Sequence, residues 1–174
     1  MNRVEADEIV LNLWQGSYPK YGEHVAKAGF TLLVFCAEEI QPEVEDYPGV
    51  RVLYAPNSDD YVSKIPRDRL QIALEAAQAV AQEIQSGGKA LVTCAAGINR
   101  SGLVSALSLH FLHGWPGTEC IARVQKTRIS QRHHLTALDN PQFRAALRKL
   151  KATPKAEPLP EGWIKSDSGL ILPK

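Results

Sequence analysis

Apolar positions along this chain recur with two different spacings, one suited to strands and one to helices. Phe30-Thr31-Leu32-Leu33-Val34-Phe35 is a nearly continuous apolar run of strand length, the pattern of a strand buried on both faces in a parallel sheet. Ala90-Leu91-Val92 and Val50 to Tyr54, the latter ending at Pro56, read the same way. Ile9 to Trp14 alternates well enough for one short strand, closed by the turn Gly16-Ser17-Tyr18-Pro19. The helical spacing is clearest in Arg67 to Gln85, opened by Pro66, with Leu70, Ala73, Leu74, Ala77, Val80, Ala81 and Ile84 along one stripe and Ser86-Gly87-Gly88 as its stop. Ser101 to His113 carries Leu103, Val104, Leu107 and Phe111 and ends at Gly114 and Pro116. Shorter helices are predicted over Glu23–Ala28, Thr118–Arg128 and Pro141–Leu150. Strands alternating with helices predict an α/β fold, a central and mostly parallel sheet flanked by helices.

Composition narrows this. The 174 residues, 44% hydrophobic and 22% charged, suit one domain, placed at 1–151, with a proline-rich tail at 152–174. No apolar run approaches the ~18–20 residues of a membrane span, and the acidic start of the chain lacks the apolar core of a secretory signal. The cysteines at 36, 94 and 120 form no disulfide framework, which points to a reducing, cytoplasmic setting. Twenty basic and 19 acidic residues nearly cancel, but unevenly. Acids crowd the first third, whereas residues 120–151 are basic, with Asp139 the one acid. Those bases fall at helical spacing without interleaved aromatics, which reads as a solvated helix face and argues against nucleic acid as partner. His110, His113, His133 and His134 lack companions at zinc spacing, so neither a metal nor another cofactor is expected.

The chemistry concentrates in Cys94-Ala95-Ala96-Gly97-Ile98-Asn99-Arg100-Ser101, between a predicted buried strand and a helix start. Small residues there let the backbone curl so that successive N–H groups converge on one anion, at the positive end of the helix dipole. Arg100 can add a planar, bidentate grip on two oxygens. The same positive surroundings favour a thiolate at Cys94, poised beneath a bound phosphate for in-line attack. Ala95, Ala96, Gly97, Ile98, Asn99 and Arg100 are therefore the expected substrate-binding residues.

Cys94-x5-Arg100-Ser101 resembles the signature of the protein tyrosine phosphatase superfamily. Leu13-Trp14-Gln15-Gly16-Ser17-Tyr18-Pro19, Ala28 to Val34 and Asn140-Pro141-Gln142-Phe143 resemble segments of its dual-specificity branch, so the likeness spans residues 9–150. It implies hydrolysis of phosphate monoesters through a phosphocysteine, on a phosphorylated protein or another phosphomonoester, without a metal. It also implies an upstream aspartate as general acid: Asp59, in Pro56-Asn57-Ser58-Asp59, or its neighbour Asp60. Ser101 would assist departure of the sulfur. Phe35-Cys36-Ala37-Glu38 resembles a segment of the tensin-like phosphoinositide phosphatases, in which the cysteine pairs reversibly with the nucleophile, making Cys36 a redox candidate.

One position departs from the pattern. Thr93 stands where the family places histidine, removing an imidazole that orders the loop and favours the thiolate; slower turnover is expected. Ala95 and Ile98 occupy positions where inositide phosphatases carry lysine, whereas Asn99 also occurs in relatives acting on RNA 5′ ends. A phosphate-binding protein without turnover, and a sulfurtransferase of the rhodanese kind, are the alternatives from other classes.

Overall fold

The computed structural model describes residues 4–128 and 135–154, and the backbone of 163–165 and 171–173. Its sheet has five strands, β1 (Ala6–Val10), β2 (Leu13–Ser17), β3 (Leu32–Ala37), β4 (Arg51–Asn57) and β5 (Ala90–Cys94), in the spatial order β1-β2-β5-β3-β4. β2, β5, β3 and β4 run parallel, and only β1 is antiparallel to its neighbour. This is the expected α/β architecture with a mostly parallel sheet.

Every residue of β3 and β5 is buried. The reason is visible in the alternation: Leu32, Val34 and Cys36 face one core, and Leu33 and Phe35 the other. The first core is covered by α2 (Arg67–Gln85), α3 (Arg100–His113), α4 (Gly117–Thr127) and α5 (Pro141–Leu147). The second lies under α1 (Gly22–Lys27) and the 3-10 turn Val44–Asp46, with Val25, Phe30, Tyr47 and Val50 filling it. α3 is buried from Arg100 to Leu109 on all sides except His110 and beyond, so it is the central helix of its layer rather than an amphipathic surface helix. α2 meets the core through Ala73, Ala76, Ala77, Val80 and Ala81, whose small side chains permit close approach to α3.

One expectation about secondary structure is corrected. The segment Ile9–Trp14 is not one strand: the chain reverses at Leu11 and Asn12, with Val10 paired to Leu13. Asn12 adopts φ 66°, a left-handed conformation that asparagine tolerates better than most residues. The tail also contains paired backbone, β6 (Trp163–Lys165) antiparallel to β7 (Ile171–Pro173), where aromatic and β-branched residues favour extended chain. His133 and His134 lie outside the described residues.

Candidate active site

Cys94 is the last residue of β5 and Arg100 the first of α3, so the segment between them spans the C-terminal edge of the sheet. Gly97 sits at φ 69°, and a Cβ there would lie 2.3 Å from the backbone of Gly16; only glycine meets both conditions. Every carbonyl from Ala95 to Asn99 accepts a hydrogen bond from outside the loop. Tyr18 N donates to Ala95 O (3.4 Å), Leu138 N to Ile98 O (3.2 Å) and Leu103 N to Asn99 O (2.8 Å). Arg128 Nε donates to Gly97 O at 3.0 Å and its Nη2 to Ala96 O at 3.3 Å. Gln15 Nε2 reaches Gly97 O at 3.0 Å and Ile98 O at 3.4 Å. With the carbonyls drawn outward, the peptide N–H groups of Ala95 to Asn99 have no acceptor among the described residues. Such unpaired N–H groups around one point make an anion-binding concavity.

The side chains complete it. Cys94 Sγ lies 3.3 Å from Ser101 Oγ, both buried. A cavity of about 180 Å³ is lined by Cys94, Ala95, Ala96, Ile98, Asn99, Arg100, Asp59, Tyr61 and Leu135. Of the residues singled out by sequence, Asp59, Cys94, Ala95, Ala96, Ile98, Asn99 and Arg100 line this cavity, while Cys36, Asp60, Gly97 and Ser101 do not. Gly97 serves the loop's curvature from behind, and Ser101 supports the sulfur.

Arg100 is held in a fork by Glu39: Nη2 donates to Oε1 at 2.7 Å and Nη1 to Oε2, while Nη1 also approaches Asn57 O at 3.4 Å. Its Nε is buried and without a partner. Burial is the largest influence and works against the arginine's charge, but the Glu39 hydrogen bonds together with the charges of Cys94, Glu39 and Asp59 outweigh it and the pKa rises. The reciprocal bond holds the Glu39 carboxyl below the usual glutamate range. Glu39 was not singled out from the sequence, where Glu38 completes the tensin-like segment.

The two aspartates separate cleanly. Asp59 faces the cavity, its Oδ2 accepting from Asn99 Nδ2 (3.1 Å) and its Oδ1 from Asn140 Nδ2 (2.8 Å). Asp60 turns away: its Oδ1 accepts from Val62 N and Ser63 N, and it lines a different cavity with Asn57, Lys64 and Phe143. These turn bonds, with the Ser63 side chain first among them, lower the Asp60 pKa. Asn140 connects the loops, since its backbone N–H donates to Asn99 Oδ1 while its side chain caps α5.

Thr93, fully buried, donates its hydroxyl to Val34 O at 3.0 Å and so ties β5 to β3. Cys36 is also fully buried, and its thiol pKa is pushed well up, first by burial and then by the charge of nearby Cys94, with Arg100 acting in the opposite sense. The basic stretch needs correction at Arg128, which is buried rather than solvated. Where α4 ends, this side chain folds back under the loop and meets Asp7 Oδ2 at 2.9 Å and Glu5 Oε1 at 3.5 Å. Helical spacing gave no sign of it. Gln15 did leave a trace, because strand alternation puts it on the same side as Leu13, an inward position for a polar side chain.

No family model matches the chain, and no curated protein is similar in sequence. Solved structures are. A mouse protein described as a dual specificity phosphatase, complexed with zinc tungstate, superposes with a TM-score of 0.66 at 27% identity, over 83% of this chain and 85% of that one. Human DUSP28 gives 0.66 at 25% identity, over 86% and 96%. A human tyrosine phosphatase-like serine/threonine/tyrosine-interacting protein gives 0.64 at 23% identity, over 84% and 95%.

Proposed function

We propose, from the premise that the chain belongs to the protein tyrosine phosphatase superfamily and its dual-specificity-like branch, that it is a cysteine-dependent phosphomonoester phosphatase acting on phosphorylated protein. The observation that carries this reading is that every carbonyl from Ala95 to Asn99 is paired away from the loop, leaving their N–H groups without an acceptor among the described residues, while Cys94 and Arg100 line the same cavity. A phosphate seated there would place its equatorial oxygens on fixed donors, where charge resides in the transition state. The Cys94 thiolate attacks phosphorus, and the bond to the leaving oxygen breaks as Asp59 gives that oxygen its proton. Asp59, now a carboxylate, takes a proton from water as the water attacks the phosphocysteine. Ser101, 3.3 Å from the sulfur, stabilises it as it departs. Residues 1–151 would form the catalytic domain, in the cytoplasm.

The test is phosphate release from peptides, inositides and RNA 5′ ends by the wild type and by Cys94→Ser. Release from peptides, lost by at least ~10³-fold in the variant while tungstate or phosphate still binds, is the expected result. A second reading, phosphate binding without turnover, draws on Thr93, whose hydroxyl is committed to Val34 O. It predicts peptide binding and no release even by the wild type.

Cys36 extends the proposal to regulation. Parallel β3 and β5 pair Phe35 with Thr93, and Cys36 and Cys94, the next residues of each strand, share one core, which supports a Cys36–Cys94 disulfide formed when peroxide oxidises the nucleophile to a sulfenic acid and the Cys36 thiol displaces water. Mass spectrometry after peroxide should find that link; over-oxidised Cys94 without it would remove Cys36 from the chemistry.

A further inference from the structure

Tyr61 and Leu135 stand out among the large hydrophobic side chains left exposed, at 44% and 51%, because both line the cavity that contains Cys94. They come from separate segments, one just beyond Asp59 and the other just before α5. Apolar surface left at the mouth of a site is surface that a bound molecule can remove from water. Tyr61 is also tethered: its hydroxyl accepts from Asn99 Nδ2 at 2.7 Å and its carbonyl from Gln142 Nε2 at 3.2 Å. A ring held at both ends loses little freedom when a ligand covers it.

The charges around the cavity limit what that ligand can be. Arg100 is the one cation among the described lining residues, and Glu39 already engages it. Among those residues a substrate with several phosphates would find no second positive partner. A single phosphate on an apolar body would find Arg100 and the loop N–H groups for the phosphate, and Tyr61, Leu135 and Ile98 for the body.

We infer that Tyr61 is a specificity-determining residue that selects aromatic phosphomonoesters, so that phosphotyrosine is preferred over phosphothreonine in the same peptide; this rests on the phosphatase reading above. A phenyl ring can lie against Tyr61 in an offset or edge-on arrangement, whereas the short threonine body leaves most of the ring wet.

The experiment compares kcat/KM for one peptide carrying either phosphotyrosine or phosphothreonine, with the wild type, Tyr61→Phe and Tyr61→Ala. Tyr61→Ala is expected to lower the phosphotyrosine-to-phosphothreonine ratio about tenfold, the upper range for an aromatic pair, whatever loss the two substrates share. Tyr61→Phe, which keeps the ring and loses the hydroxyl, should preserve the ratio within about twofold. An equal loss on both substrates would mean that Tyr61 serves only the Asn99–Asp59 bonding, and would overturn the inference. If the wild type releases no phosphate, binding of the same two peptides to Cys94→Ser, with and without Tyr61→Ala, decides instead. Selective binding that Tyr61→Ala abolishes would retain the inference while the phosphatase reading falls, and equal binding of both peptides would end it.

Discussion

Two loops face each other across the cavity, and they are built on opposite principles. The loop from Cys94 to Arg100 is buried at Cys94, Gly97, Ile98, Asn99 and Arg100, and each carbonyl between Ala95 and Asn99 is anchored from beneath. The loop from Ser58 to Lys64 is exposed throughout and rests on side-chain amides of Asn99, Asn140 and Gln142. On the proposed function, the first would hold charge-stabilising donors in place before substrate arrives, because donors that reorganise during the reaction lose their advantage. The second would bring one carboxylate to the leaving group and still let product out, for which a few exchangeable bonds on an exposed segment are suited. Burial therefore separates preorganisation from access within one site.

The largest effect should come from removing the anchor beneath the first loop. Arg128→Met would leave Asp7, Glu5 and the carbonyls of Ala96 and Gly97 without their buried guanidinium. Leaving two loop carbonyls without a charged donor, beside partly exposed carboxylates, costs about 2–4 kcal/mol, a fall in melting temperature of roughly 10 °C for a chain of this size. A melt within two or three degrees of wild type would mean the loop holds its shape without the anchor. The two carboxylates of the opposing loop give the next contrast. Asp59→Asn should lower kcat about 10²–10³-fold with little change in the melt, since the general acid is lost and no core contact is. Asp60→Asn, which keeps an acceptor for Val62 N and Ser63 N, should stay within about twofold in steady-state rate. Equal losses in the two variants would erase the distinction between a cavity-facing and a turn-forming aspartate.

How far this contrast was legible in the sequence depends on where each group's partners lie. β3 could be read because Leu32–Ala37 runs without a polar interruption, and β5 because only Thr93, whose hydroxyl is satisfied by Val34 O, breaks its apolar run. The Cys94–Arg100 loop could be read because its chemistry needs contiguous small residues between a strand and a helix. Asp59 and Asp60 were both offered by the family resemblance, and which of them faces the cavity depends on bonds from Asn99 and Asn140 that no local pattern encodes. Gln15, Glu39 and Arg128 meet the loop across long stretches of chain, and no local pattern encodes such a meeting. The β1–β2 reversal was hidden for another reason: Asn12 takes a conformation usually given to glycine, so alternation seemed to run through the turn.

The smallest effect, and the one that sharpens the comparison most, concerns Glu39, a half-exposed carboxylate that grips the buried Arg100. Because Arg100 holds the folded-state pKa of Glu39 below its unfolded value, the pair's contribution is complete above the ordinary glutamate pKa of about 4.3 and is lost as pH falls through the lower folded value. With one partner so exposed, solvent screens the pair, and its worth to stability is at the small end for ion pairs. Wild type should therefore melt slightly above Glu39→Gln at neutral pH, and the two curves should converge as the pH falls through the lowered folded-state pKa of Glu39. Catalysis should be more sensitive than stability, because Glu39 orients a guanidinium whose buried Nε has no partner of its own. Glu39→Gln, which can still accept one of the two bonds, should lower kcat/KM by about three- to tenfold near neutral pH, the loss of one well-oriented charge-assisted bond. If the variant instead matches wild type in rate while melting lower, Glu39 belongs with the structural anchors beneath the loop, and Arg100 owes its orientation to α3 and Asn57 alone.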